Sequence, residues 1–292
     1  MQYVVFGADG YIGSYLFSKL NSDNKNVVGT SRRKKLEGKI YFDIRSRESF
    51  HFIERIKDEE KTAIICIAEP GIDKCFEEYE FTYNINVIKT RELIQMLREN
   101  NFHVIFFSTD NVFDGKEGKY TEGSPTHALN RYGQMKEEME GYLLTDKEDI
   151  CIFRIPKVVA AYRDRHNIFS EWERQATTGI IRCIKDNRIS FVCIEDVYNA
   201  CVLAAERKMH GLYHIVGERD YSREELAKKF FDKCGVADIK IIEANLEDFQ
   251  FKDCRPLNIS MSNLKFKQET GYQFMAMDTV IERYIKTGKE EI

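Results

Sequence analysis

The chain has 292 residues, 43% hydrophobic and 32% charged, with a formal charge of -4 and a pI near 6.0. That length buries a full core, and the mild acidity gives no electrostatic reason for nucleic acid or a membrane surface as the main partner. No run approaches membrane-spanning length, no basic segment precedes an apolar cleavage region, and no C-x-x-C occurs among the eight cysteines. The sequence therefore predicts a soluble cytoplasmic protein with buried free thiols.

Residues 2–6, QYVVF, read as a short buried strand, and GADGYIG follows at once, leading into a helix pattern through Leu16 and Leu20. Strand, glycine turn and helix form a dinucleotide fingerprint, in which bare backbone approaches a pyrophosphate at the positive end of the helix dipole. Gly7, Asp9, Gly10, Tyr11, Ile12 and Gly13 are the expected cradle. A second strand, 26–30, runs into Ser31, Arg32, Arg33, Lys34 and Lys35. Folds that bind NAD usually place an acid there for the ribose 2′-hydroxyl, whereas a basic residue suits a 2′-phosphate. The sequence thus favours NADP(H) over NAD(H), with Arg32 or Arg33 as phosphate partner and Ser31 as a hydrogen-bond donor. Residues 39–42 read as a strand delivering Asp43 and Ile44 toward an adenine edge, and 46–57 as an amphipathic helix.

The uninterrupted apolar run 62–68 predicts a strand covered on both faces. It ends in Ala68, Glu69, Pro70 and Gly71, small enough in part to let a cofactor pass. A long helix is expected over 77–100, with Asn84 and Asn86 inside it as satisfied core amides or as anchors of a loop near the cofactor. The strand 102–107 delivers Ser108, Thr109, Asp110 and Asn111 to the same edge. This rhythm predicts an α/β fold with a doubly wound parallel sheet and ligands outside the strand carboxyl ends. Thr109 is then placed to donate toward Tyr132 or a substrate oxygen; a turn or helix cap is the structural alternative. Tyr132 and Lys136 share one face of a helix starting near Ala128. A phenol titrates near ~10 in water, and a cation within ~4–6 Å lowers that value, which makes the two a proton-transfer pair.

After the strand 150–155, the stretch 161–179 mixes Arg163, Arg165, His166, Trp172 and Arg174. It suits either a diphosphate-and-base site or a surface helix with Phe169 and Trp172 in its packed face. A helix over 195–207, a strand holding His214 in a core role, and a helix over 222–234 opened by S-R-E-E follow. Arg255 is a candidate substrate contact, and the charged tail from Thr287 is expected to fray. The expected organisation is a dinucleotide domain at 1–155, completed by about 190–217, and a smaller substrate lobe from 156–189 and 218–292. No metal-spaced His/Cys/Asp set occurs.

The three glycines, STD at 108–110 and YxxxK at 132–136 together resemble the extended short-chain dehydrogenase/reductase superfamily. STDNVFDG, Tyr120 with Glu122 and Pro125, YGQMKEEME and RPLNISMS are similar to the dTDP-4-dehydrorhamnose reductase group, from Gly7 to about Gly271. The resemblance implies NADP(H)-dependent reduction of a nucleotide-linked keto-sugar. Tyr132 would be the general acid, Lys136 would lower its pKa and hold the nicotinamide ribose, and Thr109 would orient the carbonyl. Asp110 and Asn111 would face the sugar, and Ser31–Arg33, Asp43, Ile44 and Ala68 the cofactor. It also implies two rivals: an epimerase of the same superfamily, and an NADP-binding regulatory subunit like the methionine adenosyltransferase beta subunit. Helices 77–100 and 127–144 are of the kind that pair in homodimers there. Dehydratases of the superfamily carry an Asp-Glu pair beside the Thr, and Asp110 with Asn111 argues against that chemistry. Asn111 replaces the group's usual Tyr. In the stretch matching D-Q-x-G-x-P-T, Asp186 and Asn187 hold the first places, but Ile189, Phe191 and Val192 replace the Gly, Pro and Thr. The cofactor half keeps the pattern better than the sugar half.

Overall fold

Short apolar strands alternating with helices have one economical arrangement, a parallel sheet covered on both faces, and the computed structural model of the chain has it. The structure describes residues 1–33, 38–145, 150–184, 186–236 and 239–290. Lys34 and Lys35 of the expected basic loop, and the last two residues of the tail, lie outside them. The order is β1 (Gln2–Phe6), α1 (Tyr11–Ser22), β2 (Asn26–Ser31), β3 (Lys39–Tyr41), β4 (Lys61–Ile65), α2 (Ile72–Glu77), α3 (Tyr79–Tyr83), α4 (Thr90–Glu99), β5 (His103–Thr109), α5 (Arg131–Leu144) and β6 (Ile150–Ile155). There follow β7 (Lys157–Val159), α6 (Ile168–Ala176), β8 (Ile180–Ile184), β9 (Ile189–Cys193), α7 (Ile194–Glu206), β10 (Gly211–His214), β11 (Asp220–Tyr221), α8 (Arg223–Cys234), β12 (Lys240–Ala244), α9 (Leu264–Thr270) and α10 (Met277–Glu290).

Among the described residues the main sheet has seven strands in the order β10-β6-β5-β4-β1-β2-β3, and every pairing in it is parallel. Side chains alternate across it. Tyr3, Val5, Ile64 and Ile105 pack with Leu16 of α1 and Ala200 of α7 on one face. Val4, Phe6, Ala63 and Val104 pack with Leu93 of α4 and Met135 of α5 on the other. Strand order reverses at β1, which opens a crevice beyond the carboxyl ends of β1 and β4, the usual ligand position in such sheets.

Two small sheets, β11-β9-β7 and β12-β8, carry a third core. Phe169 of α6 stacks on Phe230 of α8 at 5.0 Å and an interplanar angle of 6°, and Trp172 is buried beside them. Helix α6 is thus a packed helix, and Arg163 is held by Glu173 at 2.8 Å. Phe266 and Phe274 return from the carboxyl-terminal stretch to the core of the main sheet.

Three expectations change. The helix over 77–100 starts earlier, behind Gly71, breaks at Glu78, and passes through a π turn at Asn84–Lys89 before α4. Inside that turn Asn86 points inward, the kind of local insertion that widens a helical turn. The segment 46–57 is a 3-10 helix, Arg47–Arg55, with Phe50 and Ile53 buried. The tail continues α10 to Glu290 instead of fraying. Among the described residues no helix is long and apolar enough to cross a membrane. All eight cysteines are free thiols; five are buried, and Cys254 is exposed.

Candidate active site

The glycine turn divides its labour. Gly7 has φ +85°, and a Cβ there would lie 3.2 Å from the Cys66 carbonyl carbon. A Cβ on Gly13 would sit 2.3 Å from the Gly7 oxygen. These two glycines therefore allow α1 to close onto the strands. Gly10 has only one neighbour near its Cβ position, at 3.5 Å, and no side chain among the described residues caps α1 there. Free N–H groups and the positive dipole end thus face a cleft lined by Gly7, Gly10, Ser31, Asp43, Cys66 and Ala68. Tyr11 and Ile12 pack against the core and start the helix.

Beyond β2 the sequence shows no acid, yet the fold brings one. Asp9 accepts hydrogen bonds from the Ser31 hydroxyl and from Lys39 Nζ at 2.9 Å, which also donates to the Ala8 carbonyl at 2.8 Å. Burial would raise the Asp9 pKa, but Ser31 and Lys39 outweigh it and hold the carboxyl below its ordinary range. The Ser31 proton is therefore used within the protein, and the same oxygen accepts the Arg33 N–H at 2.9 Å. Arg32 and Arg33 are exposed. Asp43 grips Arg45 at 2.6 Å, and that partner keeps it ionised; Ile44 is buried behind it. The loop carrying Ala68 is fixed by Asn86, whose Oδ1 accepts the Glu69 N–H at 2.8 Å and whose Nδ2 donates to the Glu69 carbonyl at 3.0 Å. Asn86 is thus the loop anchor, and Asn84 is exposed.

The second half of the site comes from β5 and α5. Tyr132, Lys136 and Glu140 stand four residues apart on α5, one face of a helix. Lys136 Nζ donates to the Phe107 carbonyl at 2.7 Å and lies 4.4 Å above the Phe106 ring. Burial lowers the Lys136 pKa to about 8, against the pull of Glu140. Its charge is felt at Cys66, in the cleft wall. For Tyr132 the expected lowering is not found. Burial pushes the phenol up, Asp110 adds to the push, and Thr109 only partly offsets it. The ammonium is engaged by a carbonyl, and desolvation of the phenolate dominates. The phenol therefore holds its proton at neutral pH.

Thr109 donates its hydroxyl proton to Asp110 Oδ1 at 3.0 Å and accepts the Asn111 backbone N–H at 3.2 Å. A hydroxyl has one proton, so Thr109 can steady a Tyr132 phenolate only by turning that proton away from Asp110. Burial raises Asp110 to about 7, against the hydrogen bonds from Thr109 and from Asn111 Nδ2, the latter at 2.9 Å. Sequence reasoning missed what docks α5 on this turn. Asn130 caps the helix by accepting the Gly133 N–H at 2.8 Å and donates to Asn111 Oδ1 at 3.0 Å. A Cβ on Gly133 would lie 2.2 Å from the Asn111 carbonyl. An Asn two residues before Tyr132 was the available signal. Below the site, Glu140 takes a two-pronged bond from Arg154, 2.6 Å at its shortest, and one from Ser108. Arg154 touches His214 Nε2 at 3.2 Å. Burial lowers His214 to about 3, so the imidazole is neutral and structural.

The expected substrate contact Arg255 pairs with Asp73 of α2 at 2.8 Å and lies 4.5 Å over Phe251. Neighbouring Asp253 accepts the Arg131 N–H at 2.7 Å, so this strap ties α2 to the start of α5. Asn187 accepts the Arg223 N–H at 3.2 Å, while Phe191 and Val192 are core residues of β9.

The family described as "RmlD substrate binding domain" matches residues 1–289. The chain is 25% identical over 292 residues to dTDP-4-dehydrorhamnose reductase of Aggregatibacter actinomycetemcomitans, covering 92% of this chain and 93% of that one. It is 24% identical over 254 residues to methionine adenosyltransferase 2 subunit beta of Xenopus laevis, covering 80% and 71%. The solved structure of dTDP-4-dehydrorhamnose reductase from Bacillus anthracis in complex with NADP superposes with a TM-score of 0.87 at 20% identity, over 98% of each chain. The fold is thus that of this solved reductase structure.

Proposed function

The chain belongs to the RmlD substrate binding domain family, and from that premise we propose that it is an NADP(H)-dependent reductase of a nucleotide-linked keto-sugar. One observation carries the reading. Tyr132 and Lys136 lie one helical turn apart on α5, Lys136 Nζ is bonded to the Phe107 carbonyl near the end of β5 at 2.7 Å, and the glycine turn with Cys66 and Ala68 lines the cleft beyond the neighbouring strands β1 and β4. That arrangement supports a proton donor and a cation beside a dinucleotide cradle at one sheet edge.

A reduced nicotinamide, when bound, supplies the hydride. The chain's own residues do the rest. Gly10 and the α1 N-terminus receive the pyrophosphate. Arg32 and Arg33 favour a 2′-phosphate, because the Asp9 charge nearby is already matched by Lys39. Asp43, Ile44 and Ala68 shape the wall for adenine and ribose. Tyr132 gives its proton to the oxygen of the reduced carbonyl, a role for which a phenol kept protonated by burial is suited. Lys136 stabilises the phenolate left behind and meets the nicotinamide ribose. Thr109, aligned by Asp110, positions the Tyr132 hydroxyl, and Asp110 and Asn111 face the sugar. Residues 1–155, completed by about 190–217, form the cofactor unit. The substrate lobe is 156–189 and 218–292, with the Phe266–Phe274 stretch packed back on the main sheet.

The test is NADPH oxidation against a panel of keto-sugar nucleotides. Tyr132→Phe should lower turnover by ~10²–10⁴-fold and leave NADPH binding intact; parental turnover in that variant ends the assignment. Substrate conversion without net NADPH loss would mark an epimerase. A second reading is favoured by the match to methionine adenosyltransferase 2 subunit beta: a binding module that keeps the cofactor site. NADPH binding with no oxidation by any panel member, and co-purification with a larger catalytic chain, would replace the reductase by that module.

A further inference from the structure

A dinucleotide cradle tells a ribose 2′-hydroxyl from a 2′-phosphate by the charge at the end of its second strand, because an acid there accepts from the hydroxyl and repels the phosphate. In this chain the acid comes from elsewhere. Asp9, in the glycine turn, accepts a hydrogen bond from the hydroxyl of Ser31, the last residue of β2, and lines the cleft together with Ser31 and Arg32. Left alone, that carboxylate would give the cleft the character of an NAD site.

Lys39 changes that character. It opens β3 opposite Gly29 of β2, and its Nζ donates to Asp9 Oδ1 at 2.9 Å and to the Ala8 carbonyl at 2.8 Å. The ammonium also lies 5.4 Å from the centre of the Phe17 ring, so three contacts fix it in one place. The two side chains are only 16% and 25% exposed, and solvent and salt screen such a pair less than one on the open surface. Among the described residues Lys39 does not line the cleft; its influence there passes through Asp9. The other acids of the wall are matched in the same way, Asp43 by Arg45 and Glu69 by Lys74. With all three matched, Arg32 leaves the wall net positive.

We propose that Lys39 sets the choice of cofactor in this cleft: by holding Asp9 in an ion pair it lets the wall receive a ribose 2′-phosphate, and without it Asp9 becomes an acceptor for a 2′-hydroxyl. Lys39 is thus a positioning residue that acts through Asp9. The proposal rests on the reading of the cleft as a dinucleotide cradle, and it is independent of the keto-sugar and of the role of Tyr132.

The experiment is calorimetric titration of the full chain with NADPH and with NADH, no sugar nucleotide present, on the parent, on Lys39→Met and on the double variant Lys39→Met with Asp9→Asn. The parent binds NADPH more tightly than NADH. Lys39→Met weakens NADPH binding about tenfold or more, as expected when a phosphate meets an unmatched carboxylate, while NADH affinity holds or rises. Removing the Asp9 charge in the double variant brings NADPH affinity back to within about threefold of the parent. A merely structural role for Lys39 would lower both affinities together, with no rescue by Asp9→Asn. Lys39→Gln replaces Lys39→Met if the latter does not fold. Equal losses for the two cofactors, an unchanged preference in the variant, or a parent that prefers NADH overturns the role of Lys39 and leaves the cradle standing. A parent that binds neither cofactor removes the cradle reading and the proposal with it.

Discussion

At the glycine turn the ligand-facing surface is backbone, shaped by three glycines within one short stretch, and the acids around it are already matched: Asp9 by Lys39, Asp43 by Arg45, Glu69 by Lys74. Beneath Tyr132 the surface is instead side chain, where buried Glu140 is gripped by Arg154 and bonded by Ser108. In folding, the first site is therefore sensitive to added volume and tolerant of charge changes, whereas the second should show the reverse. Around Tyr132 both kinds of construction meet, since Gly133 seats α5 by absence of bulk and Asn130 by hydrogen bonds.

The comparison can be broken most forcefully at Gly13. Gly13→Val puts a branched side chain where even a Cβ would lie 2.3 Å from the Gly7 oxygen, so α1 must lift. A loss of about 3 kcal/mol of stability, with no rise in melting temperature on adding NADPH, is the expected result; a parental melt with full NADPH response would deny that volume governs this turn. The next effect is on the catalytic pair. Lys136 has its pKa lowered to about 8, so its charge is present below that pH and lost above it. Turnover should therefore decline above about pH 8, approaching about tenfold per unit, and a flat profile to pH 10 would remove the cation from the mechanism. Smaller again is Asn130→Ala, which loses the α5 cap and should cost about 1 kcal/mol in chemical denaturation. The smallest change in stability belongs to Gly10→Ala. Its backbone φ of -76° suits any residue and its Cβ position is open, so folding should shift by less than about 1 kcal/mol while NADPH affinity drops. Equal behaviour of the Gly10 and Gly13 variants would erase the division of labour within the turn.

What could be read from the sequence follows the same line. The glycine turn, the buried strands and the four-residue spacing of Tyr132 and Lys136 are local patterns, and the fold keeps them. The amphipathic segment at 46–57 also keeps its buried face, Phe50 and Ile53, but as a tighter 3-10 helix. Long-range placements were beyond local reading. Asp9 sits in the glycine loop by sequence and at the end of β2 in space. Thr109 could be placed on the right edge, but that its proton goes to Asp110 depends on a buried turn. The lowered phenol pKa followed from Lys136 being near; the opposite direction follows from how dry the site is, a property of packing around α5. Asn86 could be narrowed to core amide or loop anchor, and only the π turn that aims it at Glu69 decides between them.

The bidentate grip of Arg154 on Glu140 joins the middle of α5 to β6, in a layer where both side chains are almost wholly out of water. Opening that layer exposes two charges and a run of apolar strand together, so it should come apart only when the whole molecule does. Amide protons at the centre of α5 would then exchange with deuterated solvent at the rate set by global unfolding. The groups poised for chemistry would be carried on one of the slowest-exchanging pieces of the chain, leaving breathing motions to the segments that admit ligands.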